Sequence, residues 1–474
     1  MPALPLDSAI DGVRWPAVPE PRGAAVLAIL FQLEQSQWWP GQDILEQQFR
    51  QLALLLEHAY RTAPFYRERL ERAGVGPTGT VGPEAWSRIP LLTRAQVQAA
   101  GQALVSARLP PGHGRISEIF TSGSTGRPIR ALRTQLWELF WSAFTVRDHL
   151  WHRRDLRGKL ATIRESGRGK APYPNGTTAT NWGRSSSAIC RTGPSVSLNI
   201  ACTVEQQVDW LQRQAPDYLL THPSMAHRLA EHCLARRIRL PGLRQVETIS
   251  EILRPAARAA CRQAWDVPVV DMYTAREAGY LALQCPEHEV YHVQAEGVFV
   301  EVLDEEGRPC GPGEVGRVVV TPLHNFAMPL IRYDIGDYAE VGEPCPCGRG
   351  LPVLRRILGR KQNMLVLPSG EERWPLLASG DIRALLAMAP IRQYQFVQRT
   401  PERIELRLAA ARDLTPSEQD DLRRWVRDKF GYPFEVLLTF HAELPRSAAG
   451  KFQDFLSEVV PGAGKPGRAG DIPT

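Results

Sequence analysis

Ile116-Ser-Glu-Ile-Phe-Thr-Ser-Gly-Ser-Thr-Gly-Arg-Pro128 joins a strand-like run to a turn made of glycine and hydroxyl residues. Gly123 and Gly126 let the backbone come close to a ligand, and Thr121, Ser122, Ser124 and Thr125 supply hydroxyl donors. Backbone amides in such a turn form a concavity that holds an anion. No Gly-Lys-Ser/Thr follows, so the lysine of a Walker loop is missing. Similar text also occurs in polar surface loops. Taken alone, the stretch says "strand, then anion cradle" and names no reaction.

Outward from it, the pattern is short strands alternating with helices. Val208–Gln214 and Met225–Arg237 read as helices, and Val267–Met272, with its apolar Val269-Val270, as a buried strand. This alternation predicts an α/β layered fold. Phe299–Leu303 and Arg317–Thr321 add β-rich text around the turn Asp304–Gly307. Upstream, Leu45, Phe49, Leu52, Leu56, Ala59 and Tyr60 recur at helical spacing within Asp43–Arg72, with Pro64 as the expected interruption. The first forty residues are Pro-rich, carry Trp38 and Trp39, and read as an N-terminal extension.

A second unit is expected from about Gly359–Lys361, with a large domain over 41–359 before it and a small α+β domain over 360–458. Its text reads as strand Met364–Leu367, helix Gly380–Met388, and strands Gln393–Gln398 and Arg403–Leu408. Thr415-Pro-Ser-Glu418 is a capping box with proline in the first turn, so a helix runs from it to about Phe430, followed by strand Phe434–Phe440. The Gly/Pro-rich end, 459–474, reads as a disordered tail.

Bulk properties narrow the function classes. The 474 residues suffice for two or three domains, and 43% hydrophobic with 23% charged is ordinary for a globular chain. The net charge of +6 is spread along an Arg-rich sequence; it fits a solvated surface, or attraction for an anionic ligand such as a nucleotide. No Lys/Arg run interleaves with aromatics, so no nucleic-acid partner is expected. No stretch approaches the ~18 apolar residues of a membrane span, and no secretory signal is read at the N-terminus. Eight dilute cysteines fit a reducing cytosol, hence a cytoplasmic location.

Four cysteines do gather: Cys285, Cys310, Cys345 and Cys347, near His288 and His292. Two Cys/His pairs brought together would make a tetrahedral structural zinc site, although Cys-x-Cys spacing also suits free thiols.

Read in order, five stretches resemble the motifs of the acyl-adenylate-forming superfamily. They are the loop Thr121–Pro128, Asp271-Met-Tyr-Thr-Ala-Arg-Glu277, Arg332-Tyr-Asp-Ile-Gly-Asp337, Leu358-Gly-Arg-Lys361 and Pro445-Arg-Ser-Ala-Ala-Gly-Lys451. SQWWP, FAMPLIRYDIGD and CPCGR resemble its phenylacetate–CoA ligase family, over about residues 35–455. That resemblance implies a large adenylating domain with a small mobile C-terminal lid. It implies ATP-dependent activation of a carboxylic acid, aryl or arylacetic, with transfer to CoA. An amine or carrier protein as acceptor stays open, as does a zinc-stabilised binding protein that has lost catalysis.

Residue roles follow by resemblance alone. Thr121, Ser122, Gly123, Ser124, Thr125 and Gly126 would hold the β/γ-phosphates; Asp271, Met272 and Tyr273 would lie along the nucleotide; Thr274 would donate to the α-phosphate. Glu277 would bind Mg2+, and Asp337 would accept from the ribose hydroxyls. Arg360 would contact phosphate, Lys361 would absorb the hinge rotation, and Lys451 would place a positive charge between carboxylate and α-phosphate. The resemblance favours Cys285, His292, Cys345 and Cys347 for zinc, with Cys310 outside the set, and allows a homodimer. Two departures stand out: Ile129-Arg130 where many members have lysine, and Arg276 where a small or hydroxylated residue is common. Arg276 then either shapes the acyl pocket or pairs with a neighbouring acid.

Overall fold

The structure is a computed structural model that describes residues 4, 6–120, 129–166, 169–360, 364–373, 375, 379–444 and 452–459. It divides into two compact units, Met1–Leu358 and Gly359–Thr474. Among the described residues no helix is long and apolar enough to cross a membrane.

The first unit opens with helices α1 (Pro21–Ser36), α2 (Gly41–Thr62), α3 (Pro64–Arg72), α4 (Pro83–Arg88) and α5 (Arg94–Ala100). Proline at the first helical turn costs no hydrogen bond, and Pro64 accordingly starts α3 after an extended Ala63. The α2 stripe of Ile44, Leu52, Leu55, Leu56 and Ala59 is buried. Helix α1 lies inside what the sequence reads as an extension. Its run AVLAILF buries Val26, Leu30 and Leu33. Apolar residues nearly all round blur the helical stripe that would have marked it.

The hairpin β1 (Ile116–Phe120) and β2 (Arg130–Thr134) pairs antiparallel, with Phe120 opposite Arg130. Helix α6 (Gln135–Trp151) follows, with Thr134 as its N-cap. Then come β3 (Leu160–Arg164), β4 (Thr177–Ala179), β5 (Ser195–Asn199), α7 (Val204–Gln214), β6 (Tyr218–Thr221), α8 (Pro223–Arg236), β7 (Gln245–Ile249), α9 (Pro255–Trp265) and β8 (Val269–Ala275). The unit closes with β9 (Gly279–Gln284), β10 (Tyr291–Val293), β11 (Val298–Leu303), β12 (Val315–Pro322), β13 (Tyr333–Val341) and β14 (Val353–Arg360).

These strands make one twelve-stranded sheet, ordered β11-β12-β13-β14-β10-β9-β8-β7-β6-β3-β5-β4. From β5 through β3, β6 and β7 to β8 the pairing is parallel, and from β8 onward it turns antiparallel. Helical crossovers α7, α8 and α9 bury the parallel part, and the all-buried text of β7 and the first five residues of β8 reflects that. Ligands of open parallel sheets sit beyond the carboxyl ends of such strands, which here are Arg164, Asn199, Thr221, Ile249 and Ala275.

The second unit contains β15 (Leu365–Val366), β16 (Glu372–Arg373), α10 (Ser379–Met388), β17 (Ile391–Thr400), β18 (Arg403–Ala410), α11 (Pro416–Phe430), β19 (Glu435–Phe440) and β20 (Phe455–Ser457). Its four-stranded sheet runs β19-β18-β17-β20. The Thr415/Glu418 capping box is formed, and Gly431 ends α11 in the left-handed conformation at φ 65°. Phe396, Leu406, Leu422, Val426 and Phe434 fill this unit's own core.

Candidate active site and thiol–imidazole centre

Strand β8 carries the second motif to the carboxyl edge of the sheet. Met272 and Tyr273 are buried, Thr274 is half-buried beyond a bulge, and Glu277 lies in the turn to β9, 7% exposed. Strand β13 brings Asp337 to the same place: the Tyr273 hydroxyl donates to Asp337 Oδ2 at 2.8 Å. Two motifs 64 residues apart thus share one hydrogen bond. Arg360 ends β14, half-buried. Thr121, Ser122, Gly123, Ser124, Thr125, Gly126, Lys361 and Lys451 lie outside the described residues.

Asp271 sits deeper than its neighbours. Thr248 Oγ1 donates to Oδ1 at 2.6 Å and the Tyr291 hydroxyl to Oδ2 at 2.8 Å, so both oxygens are taken up within the protein. Burial pushes its carboxyl up to about 6, the two hydroxyls opposing.

Directly after Glu277, a cleft of about 290 Å³ including its mouth is lined by Trp137, Phe140, Trp141, Phe144, Tyr280 and His324, with Ala278 and Gly279 in its wall. Gly279 has φ 95°, and a Cβ there would stand 3.3 Å from the Trp137 ring. At Gly297 a Cβ would meet the edge of the Phe144 ring at 2.5 Å, so a larger residue there would displace that ring. Trp137 stacks on Trp141 at 5.3 Å, and His324 lies flat on Phe140 at 3.8 Å. Burial lowers His324 to about 4, so its ring is neutral; its Nε2 donates to the Glu296 carbonyl at 2.9 Å. Tyr280 and Thr145 share a hydrogen bond at 3.1 Å at the cleft's inner side. The sequence reading missed all of these aromatics. Their signal was available: Trp137, Phe140, Trp141 and Phe144 stand at i, i+3, i+4 and i+7 of one helix. Ser250 was also missed; it follows β7 with φ 76°, a left-handed conformation rare outside glycine.

The second feature is the thiol–imidazole centre. Cys285, His292, Cys345 and Cys347 each offer one ligand atom within 4.8 Å of the others. Cys285 Sγ and Cys345 Sγ are 3.8 Å apart, and Cys347 Sγ lies 3.3 Å from His292 Nε2. Tetrahedral zinc with Zn–S of ~2.3 Å requires sulfurs ~3.8 Å apart, so the donor set fits the ion. Burial, then the charge of Arg349, lowers His292 to about 4 and keeps it neutral, the form that ligates. His288 is exposed and Cys310 packs at Gly316; neither belongs to the group. The WW segment braces this centre. Arg349 lies between Trp38 at 4.7 Å and Trp151 at 4.6 Å, and donates to Gln37 Oε1 at 3.0 Å.

Comparison with known proteins agrees. A family model described as "AMP-binding enzyme" matches residues 190–327. The phenylacetate–coenzyme A ligase of Thermus thermophilus is 25% identical over 452 residues, covering 88% of this chain and 97% of that one. The Escherichia coli K12 protein of the same name is 22% identical, covering 84% and 92%. Among solved structures, 2-hydroxyisobutyryl-CoA ligase in its postadenylation state superposes with a TM-score of 0.68 at 19% identity, over 90% of this chain and 92% of that one, which shows a shared fold. The chain is thus similar to AMP-binding enzymes over residues 190–327 and to phenylacetate–coenzyme A ligases over most of its length.

Proposed function

We propose that the chain uses ATP to convert a flat, apolar carboxylic acid into its acyl-adenylate and then hands the acyl group to coenzyme A. The observation that carries this reading is the Tyr273–Asp337 hydrogen bond, which draws the nucleotide and ribose motifs into one site beside the aromatic cleft. A carboxylate oxygen attacks the α-phosphorus, the bond to the bridging oxygen of the β-phosphate breaks, and pyrophosphate leaves. The thiol then attacks the acyl carbon, loses its proton and expels AMP. Two anions meet in the first step, so fixed cations and donors lower its barrier.

In this reading the cleft from Trp137 to His324 takes the acid's ring, since aromatic walls and a neutral imidazole favour an aryl group. Asp337 accepts from the ribose, Thr274 donates to the α-phosphate, and Glu277 is the proposed ligand for Mg2+. Lys451 is the proposed cation between the reacting groups, in a small C-terminal unit that acts as the lid. Asp271 supports the site from within, because its oxygens already hold protein hydroxyls. Zinc is the proposed ion of the Cys285/His292/Cys345/Cys347 centre, in a structural role with all four positions supplied by protein.

The test is pyrophosphate release over a panel of aryl and alkyl acids, followed by thioester detection with CoA. Release with aryl acids and a thioester product is expected. Release without a thioester moves the acceptor to an amine or carrier protein, and no release with any acid sinks the reading. Lys451→Ala is expected to slow adenylate formation by ~10²-fold or more while sparing reaction of preformed adenylate.

A further inference from the structure

The cation that follows the loop in sequence, Arg130, is tied to Glu118 across the β1–β2 hairpin. Three other arginines are not so neutralised. Arg276, in the turn after β8, donates from Nη1 to the carbonyl of Phe120 at 3.2 Å, the last residue before the stretch 121–128. Arg133, on the strand that leaves that stretch, donates from Nε to the Arg276 carbonyl at 3.1 Å and lies 4.1 Å over the Trp137 ring. Arg164 ends β3 at the carboxyl edge of the same parallel sheet. Among the described residues no carboxylate makes an ion pair with any of the three, whereas surface arginines such as Arg308, Arg403 and Arg412 are paired.

They also act on one another. Burial first, then the charge of Arg276, lowers Arg133 to about 10, with Glu138 and Glu277 offsetting only part. The same two causes lower Arg164. Like charges held together and partly desolvated are unfavourable until an anion arrives. A guanidinium is a planar donor fork suited to phosphate oxygens, and three such forks match a polyphosphate better than a single carboxylate.

We propose that Arg276, Arg133 and Arg164 form a guanidinium wall that binds the β- and γ-phosphates of ATP and the pyrophosphate released from them. This rests on the adenylating reading above. It gives Arg276 a role unlike either expectation drawn from sequence: among the described residues its side chain neither lines the cleft nor pairs with an acid.

The experiment is calorimetric titration of the full chain with MgATP, pyrophosphate and AMP, in wild type, Arg276→Ala, Arg276→Lys and Arg164→Met. Arg276 is exposed, so its variants keep the fold, and far-ultraviolet dichroism checks Arg164→Met. The Ala and Met variants are expected to weaken MgATP and pyrophosphate about ten- to hundredfold and AMP less than about threefold, with Arg276→Lys between. Equal weakening of MgATP and AMP would make the arginines merely structural and overturn the wall. So would unchanged nucleotide affinity with a raised KM for the acid. If the wild type binds neither nucleotide, the adenylating reading falls and takes the wall with it; failure of the wall alone leaves wild-type binding intact.

Discussion

Two buried clusters in the first unit each gather three or four side chains of metal-ligating type, and they resolve their charge in opposite ways. Cys285, His292, Cys345 and Cys347 face one another, and Arg349 stands beside Cys347 and His292 without an ion pair to a carboxylate inside the group. Asp148, His149 and Glu247 are as close, but Arg154 fills the space between. It binds Asp148 directly, approaches His149 Nδ1 at 3.0 Å and Glu247 Oε1 at 3.2 Å, and donates to Gln245 at 2.6 Å. Proximity of ligand atoms is therefore a poor criterion for a metal site. What distinguishes the two is whether a cation bridges the ligand atoms, as Arg154 bridges Asp148 and Glu247, or only stands beside them, as Arg349 does.

The comparison can be broken most directly at Arg154. Burial pushes the Glu247 carboxyl up to about 7 even with Arg154 pulling it down. Arg154→Met strands Asp148 and Glu247 without their cation, and a loss of about 3–5 kcal/mol is expected in urea unfolding. Arg154→Ala, which also clears space, is expected to take up a divalent ion beyond the wild-type content. No uptake by that variant, measured by elemental analysis after gel filtration, would show that the charge partner is not what separates the clusters.

At the thiol centre the expected result is the converse. Wild type carries about one equivalent of zinc, and Cys345→Ser less than about a tenth. With free zinc at a thousandfold its Kd, chelation lowers stability by about 4 kcal/mol. A chain that keeps its midpoint in a strong chelator would be held by packing around Trp38, Arg349 and Trp151 instead.

Sequence reading reached these two clusters unequally, for a physical reason. Cys285 with His292, and Cys345-Pro-Cys347 further on, are scarce residue types at short spacing within each pair, so the pattern is visible. Asp148, Arg154 and Glu247 are common types brought together only by the packing of α6 against the sheet. The same division runs through the fold. Capped helices such as α11 and the buried β8 announce themselves locally, whereas α1, apolar nearly all round, does not. In the site, motifs named Tyr273 and Asp337 but not their contact, and they named Asp271 without revealing that its oxygens face Thr248 and Tyr291. Arg133 and Arg164 belong to no motif; Arg133 reaches the Arg276 carbonyl from β2, and Arg164 ends β3, which β6 and β7 separate from β8.

Asp271 offers a third arrangement, a buried carboxyl satisfied by hydroxyls, and it sharpens the contrast with Asp148 through pH. Its folded value of about 6 lies above the ordinary 3.8, so the folded state holds the proton more tightly. Its contribution to stability is full below about pH 4, falls as pH rises from about 4 to about 6, and is constant above. Asp271→Asn removes that dependence. Relative to wild type, the variant is expected to gain about 3 kcal/mol between those pH values, by urea midpoints at pH 4, 5, 6 and 7. A difference flat with pH would mean that Thr248 and Tyr291 stabilise the carboxylate as fully as a cation does.

The smallest effect belongs to the pair of buried Tyr273 and half-buried Asp337. Tyr273→Phe deletes one hydroxyl-to-carboxylate bond to Asp337, worth about 1 kcal/mol, so ATP affinity is expected to fall about fivefold with the fold intact. If the hydroxyl serves only to hold Asp337 toward the ribose, Tyr273→Phe added to Asp337→Asn costs nothing further. Additive losses would mean that Tyr273 touches the nucleotide itself. The bond to Asp337 would then be a resting contact that gives way when ATP binds, unlike Arg154, whose partners are fixed in the core.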